Sequence, residues 1–420
     1  MFKKTILENG LRLVTVPMLG TGTATVLVLV GAGSKYETKK INGLSHFLEH
    51  MLFKGTEKRP TARDISATLD SIGGEFNAFT SKEYTGYYAK VDSRHILTAM
   101  DVVSDMYVNS SLDQKEIEKE RGVIIEEINL AHDTPMRYVD TIFEDLLYGD
   151  QPAGWDILGP KENIQSVNRQ DFANYMDDFY VGYNTILIIA GKIDESTIES
   201  QAKQFFGSIK KAEPKKRIDV IEQQESPQAK VFFKETSQTH FCLGARAYNS
   251  FDEKRFAGTL LAVILGGNMS SRLFMEIREH RGLAYYVRTM LQPYLDSGHL
   301  MTQAGVDTSK LNDAIKVTMD EYHKIAQDGV GEEEFTRAKE FVKGSTLLEL
   351  ESSDALAGYL GTQELLKKEI LLPEQFFAKI EAVNVTDIKA VAKDIFQPQK
   401  INLALIGPFK DPMSFIELIK

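Results

Sequence analysis

Ile164-Gln-Ser-Val167-Asn168-Arg-Gln-Asp171 returns 216 residues later as Ile380-Glu-Ala-Val383-Asn384-Val-Thr-Asp387, and that repetition decides the fold. Without a gap, the same offset pairs Asp178 with Asp394, Leu187 with Leu403 and Gly191 with Gly407. Each stretch reads as a helix followed by a buried strand, 185–190 in the first copy and 401–406 in the second, because a short unbroken apolar run suits a strand covered by its neighbours. Further upstream, Val91-Asp92-Ser93 and Val306-Asp307-Thr308 each close a strand and enter a long helix, at an offset of 215. Chance likeness between generic helix–strand units would not hold the offset nearly constant over two stretches, so the chain reads as a duplication. Strands expected at 6–17, 24–31, 76–80 and 85–91, with the helices between them, make each copy α+β. The expected architecture is two homologous domains, each an antiparallel-rich sheet with helices packed on one face. The polar segment 213–228 reads as a linker between an N-terminal domain, 1–212, and a C-terminal domain, 229–420.

The first copy carries His46-Phe-Leu-Glu49-His50. Residues four apart on a helix stack on one face, so His46 and His50 can grip one metal ion, with Glu49 beside them. Two imidazoles, an open position for water and a carboxylate to take the water's proton are the equipment of a zinc hydrolase. The order His-x-x-Glu-His inverts the commoner zinc-protease motif. A catalytic site needs a third protein ligand. Glu116-Ile-Glu-Lys-Glu120-Arg-Gly-Val-Ile-Ile-Glu126-Glu127 offers candidates on a helix whose apolar stripe is Ile117, Ile124 and Ile128. Glu120 and Glu127 project the same way two turns apart, but spacing does not choose between Glu126 and Glu127 as the ligand. Taken alone, this run would read as a solvated acidic face.

Three motifs, in order, carry a family resemblance: His46 to Thr56 (HFLEHMLFKGT), Gly73-Gly-Glu-Phe-Asn77-Ala78-Phe79-Thr-Ser, and Glu120-Arg-Gly-Val-Ile-Ile-Glu-Glu127. Together they resemble the pitrilysin/insulysin (inverzincin) zinc metallopeptidases, above all the branch of the mitochondrial processing peptidase and its bacterial relatives. The likeness spans essentially the whole chain. It implies the processing-peptidase/LuxS-like metallohydrolase fold, with His46, His50 and Glu127 binding one zinc per chain and Glu49 as general base. It also implies a supporting place for Glu120, holding a histidine or the ligand. Asn77, Ala78 and Phe79 resemble the edge strand on which the family lays its peptide by β-augmentation.

The second copy lacks this equipment. Ala257 to Leu265, opposite the motif helix, offers no metal-binding side chain beyond a threonine hydroxyl, and Ala338 and Ser345 fall opposite Glu120 and Glu127. Its notable stretch runs from Arg272 to Val287. Arginine and tyrosine are good donors to the oxyanion of a tetrahedral intermediate, although by sequence alone an arginine-bearing helix ending at a glycine is more often structural. The resemblance implies an Arg and a Tyr seven apart that complete the active site. Arg278 and Tyr285 have that spacing, with Arg281 and Tyr286 as the nearest alternatives. In the long single-chain relatives the pair comes from the opposite half of a clamshell, so this shorter chain is expected to form a homodimer with Arg278 and Tyr285 acting in trans. The implied function is a zinc-dependent endopeptidase that cuts peptides or unfolded segments inside a closed chamber. The alternatives are a subunit of an obligate heteromeric processing protease and a non-catalytic scaffold homologue.

Composition narrows the setting. At 420 residues, 43% hydrophobic and 26% charged, the chain is an ordinary globular protein too long for one core. Its one cysteine, Cys242, excludes an internal disulfide framework and suits a reducing compartment. Glu8, Asn9 and Gly10 interrupt the apolar run a signal peptide needs, and the run from Ala24 to Val30 is far too short to span a bilayer. A cytoplasmic, bacterial protein without membrane attachment is expected. The net charge of −11 argues against nucleic acid as a partner and suits basic peptides as substrates.

Overall fold

Turn chemistry and apolar runs lay out two sheets in the computed structural model, which describes residues 2–420. The first holds β1 (Lys3–Ile6), β2 (Arg12–Pro17), β3 (Thr23–Val30), β4 (Glu75–Thr80), β5 (Thr85–Asp92) and β6 (Thr185–Gly191), in the order β1-β2-β6-β3-β5-β4. Only β2 and β6 run parallel. The single strand expected over 6–17 is therefore two. Gly10, at φ +87°, closes a tight turn in which its N–H donates to the Leu7 carbonyl at 2.9 Å, and the chain folds back as a hairpin.

The second sheet holds β7 (Gln228–Phe233), β8 (Gln238–Arg246), β9 (Ala284–Pro293), β10 (Gly298–Asp307) and β11 (Ile401–Gly407), in the order β7-β11-β8-β10-β9. Again one pair, β7 and β11, is parallel and the rest are antiparallel. Strand for strand this is β2-β6-β3-β5-β4, and the duplication extends to the helix caps. Asn168 accepts from the backbone N–H groups of Gln170 and Asp171 while Asp171 returns a bond to the Asn168 N–H; Asn384, Thr386 and Asp387 repeat the arrangement. Asp92 and Asp307 likewise cap the turns that lead into the helices Ile96–Asn109 and Leu311–Asp328.

The compact units are not contiguous in sequence. One takes the residues up to Asn129, Asp156–Ile218 and Leu348–Leu371; the other takes Leu130–Trp155, Asp219–Leu347 and Leu372–Lys420. The change at Ile218 falls inside the 213–228 segment, but each unit also includes one helix from the other half of the sequence. In the first unit the helix Ile96–Asn109 packs with Val26, Val28, Tyr87 and Ala89 into one core. The helix Ser353–Lys367 covers the opposite face of β3 and β6. Arg12 Nη1 donates to the Glu364 carbonyl at 2.7 Å, Lys90 pairs with Asp354 at 2.7 Å, and Thr25 Oγ1 meets Ser353 Oγ at 2.8 Å. In the second unit Tyr322, from one side, donates to the Leu243 carbonyl at 2.9 Å. On the other side the helix Pro135–Tyr148 packs Val139, Ile142 and Phe143 against Cys242, Met301, Ala404 and Ile406.

The reason lies in the central strands. β3 and β6 are apolar on both faces, so helices on one face alone would leave Leu27, Leu29, Ile186 and Ile188 in water, at roughly 1.5–3 kcal/mol each. The two exchanged helices begin 218 residues apart, which is also the offset between Glu120 and Ala338. The exchange is thus a property of the repeated unit.

Candidate metal centre

The motif helix is short, Leu44–Met51, and buries Leu44, Phe47, Leu48 and Met51 while turning His46, Glu49 and His50 to its other side. Its N-terminus has no cap from Gly43. Glu37, fully buried, caps it instead: Oε2 accepts from Gly43 N (2.9 Å) and Asn42 Nδ2 (2.9 Å), and Oε1 from Ser45 N (2.6 Å) and Ser45 Oγ (2.5 Å). A carboxylate is the favourable group at a helix N-terminus, and four donors satisfy it.

Facing this helix is the long helix Gln114–His132, begun where Asp113 Oδ1 accepts from Lys115 N and Glu116 N. Ile117, Ile124 and Ile128 bury its apolar stripe, as expected. His46 Nε2 and His50 Nε2 each lie 3.6 Å from Glu127 Oε2. That is too long for a hydrogen bond. It is close to the roughly 3.4 Å separating two ligand atoms on a tetrahedral ion with bonds of about 2.0–2.1 Å. The donor set, two imidazoles and a carboxylate with ligand atoms within 4.8 Å of one another, is the only such group among the described residues. The residues present therefore fit a zinc ion with one position left open. Glu126, the alternative ligand in the sequence, is exposed and outside the group.

Around these atoms, charges are arranged in pairs. Glu120 Oε1 lies 2.8 Å from His50 Nδ1, and its Oε2 is 2.6 Å from Lys54 Nζ. Burial works against ionisation of Glu120, but the bonds from His50 and Lys54 outweigh it and hold its carboxyl below the usual range. For His46, burial and the neighbouring His50 push the imidazole down to about 3, so it stays neutral, as a metal ligand must. Burial also disfavours charge on His50, yet the bond to Glu120 and the carboxylates of Glu127 and Glu49 prevail and raise its pKa. Glu49 is raised by burial, against a hydrogen bond from Thr80 Oγ1 to its Oε2 at 2.6 Å. Glu37, Lys54 and Thr80 were not among the candidates from sequence. Lys54 and Thr80 stood inside quoted motifs without a role of their own, and Glu37 acts across 8 residues with no pattern to flag it.

Asn77, Ala78 and Phe79 lie on β4, the outer strand of the first sheet, paired with β5 alone. Asn77 and Phe79 point to solvent and Ala78 inward. Asn77 Oδ1 accepts from Ala78 N at 2.9 Å, and the Phe79 ring meets Tyr84 edge-on at 6.0 Å.

Arg278 and Tyr285 belong to the second unit. The helix there is irregular: Arg255–Ala262 continues into a wider turn over Val263–Gly267, and Arg278 lies on a second such stretch, Phe274–His280. The register of β9 against β10 slips between Gly305 and Val306, so Tyr285 has no opposite residue and is 79% exposed. The Arg278 guanidinium lies 6.0 Å from the Tyr285 ring and 4.9 Å from that of Phe274. Its nearest carboxylate, Glu279, is at 3.9 Å. The alternatives are engaged more closely: Tyr286 Oη is 2.9 Å from His240 Nδ1, and Arg281 is 3.3 Å from Glu276. No described helix is long and apolar enough to cross a membrane.

Comparison with known proteins places the chain in a family. The family described as insulinase (peptidase family M16) matches residues 13–161, and the peptidase M16 inactive domain matches residues 166–342. The chain is 37% identical over 409 residues to the uncharacterized zinc protease YmxG of Bacillus subtilis, covering 97% of this chain and 98% of that one. It is 36% identical over 415 residues to an uncharacterized zinc protease of Streptomyces coelicolor, covering 97% and 90%. A protease from Helicobacter pylori shares the fold with a TM-score of 0.90 at 23% identity, covering 97% of this chain and 99% of that chain. This chain belongs to peptidase family M16.

Proposed function

We propose that this M16 protein is a zinc-dependent endopeptidase acting on peptides and unfolded segments. The observation that carries the reading is the convergence of His46 Nε2, His50 Nε2 and Glu127 Oε2 beside Glu49 on the same helical turn. His46, His50 and Glu127 would hold the ion. Zinc, when bound, supplies Lewis acidity toward water and the peptide carbonyl. Glu49 accepts the proton of the attacking water and delivers it to the leaving amine, and its burial supports both halves of that task by raising its pKa. Glu120 keeps the His50 proton on Nδ1 and the Nε2 lone pair toward the ion. The outer edge of β4 accepts an extended peptide as an added strand, Asn77 and Ala78 supplying backbone contacts and Phe79 a wall for a side chain.

Arg278 and Tyr285 are proposed as donors to the oxyanion, supplied by the partner of a homodimer. The exposure of Tyr285 and the loose ion pairing of Arg278 support them over Tyr286 and Arg281. The buried Cys242, hydrogen-bonded to Asp140 at 3.2 Å, suits a cytoplasmic setting.

The test is cleavage of a mixture of unstructured basic and neutral peptides, with products mapped by mass spectrometry. Wild type and Glu49→Gln are compared at matched zinc content. Cleavage by wild type and its loss in the variant is the expected result. A zinc-loaded wild type that cuts nothing would favour a chain that works only with a different partner subunit, or a scaffold.

A further inference from the structure

Glu49 is held by a residue outside its motif. Thr80 is the last residue of β4, and its Oγ1 donates to Glu49 Oε2 at 2.6 Å. The β4–β5 turn that follows is fixed in place. Ser81 N donates to the Tyr84 carbonyl at 2.8 Å, and Ser81 Oγ accepts from Glu83 N and Tyr84 N. Glu83 pairs with Lys35 at 2.8 Å with both side chains buried, and Lys35 N donates to the Lys82 carbonyl. Two residues on, Glu37 caps the motif helix through Gly43 and Ser45. One short segment, Lys35 to Glu37, thus ties the turn after Thr80 to the start of the helix that carries Glu49.

We propose that Thr80 is a positioning residue for Glu49: its hydroxyl fixes one carboxylate oxygen, so that the other is presented to water in register with the strand that seats the peptide. The proposal rests on the reading of Glu49 as general base. A carboxylate on a side chain with three rotatable bonds, half-enclosed and without this donor, would spread over several rotamers, and a displacement of about 1 Å is enough to slow a positioned proton transfer.

The experiment compares Thr80→Val, Thr80→Ala and Thr80→Ser with wild type. The Val and Ala variants are expected to keep the zinc affinity, Tm and KM of wild type while kcat falls roughly ten- to a hundredfold. Thr80→Ser, which keeps the hydroxyl, is expected to restore kcat to within about threefold. In crystal structures of the metal-free proteins, Glu49 should adopt one rotamer in wild type and Thr80→Ser and more than one in the other two. A lowered Tm with unchanged kcat would reduce Thr80 to a structural role and overturn the proposal, as would one unchanged Glu49 rotamer in all four proteins. If wild type cleaves no peptide, the peptidase reading fails, and the rotamer comparison by itself still decides whether Thr80 positions Glu49.

Discussion

Glu120 sits between two hydrogen-bond donors, His50 Nδ1 at 2.8 Å and Lys54 Nζ at 2.6 Å, and its contact with His50 sets which nitrogen of that ring carries the proton. With the proton on Nδ1, the Nε2 lone pair points toward Glu127. Replacing Glu120 by Gln keeps the shape but removes the charge that binds both partners. We expect zinc affinity, measured by competition with a chelator, to fall roughly 10- to 100-fold. An unchanged affinity would remove Glu120 from the account. The placement of His46, Glu49 and His50 on one face could be read from the four-residue spacing, because helix geometry alone sets it. The choice of Glu127 over Glu126 could not, since adjacent residues on a helix differ by 100° and only the facing helix shows which one looks inward. Thr80 and Glu37 were beyond reach for another reason. Their bonds cross a strand end and a loop, where no period relates donor to acceptor.

Among the elements, the motif helix depends most on what precedes it. Gly43 stands at φ +100°, and a Cβ there would lie 2.5 Å from the Leu158 carbonyl oxygen and 2.8 Å from Ile164 Cδ1. Gly43→Ala should therefore cost at least about 1–2 kcal/mol in backbone strain alone. It should also displace the donors that Glu37 accepts, lowering both Tm and zinc affinity. Gly344→Ala is the control: it lies inside the helix Glu332–Glu349 with nothing within 4 Å of its missing Cβ. That substitution should leave Tm unchanged or raise it, since a helical Ala gains roughly 0.5–1 kcal/mol over Gly. Equal effects of the two would show that Gly43 is replaceable. Strands were mostly legible as apolar runs, within a residue or two at their ends. The exceptions are β7 and β8, for which the sequence reading placed no strand, and the hairpin of β1 and β2, where Lys3 and Lys4 hide a strand whose exposure follows the sheet edge rather than an alternating pattern.

At the scale of the molecule, the repeat at offset 216 disclosed two like units, because the capping residues Asn168 and Asn384 and the strands β6 and β11 recur in the same places. The exchange of the helices Pro135–Tyr148 and Ser353–Lys367 stayed hidden, since an amphipathic helix does not record which sheet it will cover. The same scale carries the question of who completes each zinc site. Glu49→Gln and Arg278→Ala are each expected to inactivate a homodimer in which Arg278 acts in trans. Once mixed and exchanged, half of the dimers are heterodimers, and one of the two sites in each then combines an intact Glu49 with an intact Arg278. Activity should recover to about a quarter of wild type, the fraction set by random pairing in a twofold assembly. If Arg278 acted within its own chain, every site in the mixture would carry one defect and nothing would recover. Exchange is checked independently with differently tagged chains, so that silence despite exchange counts against the trans arrangement and leaves the proposed ligand set of His46, His50 and Glu127 untouched.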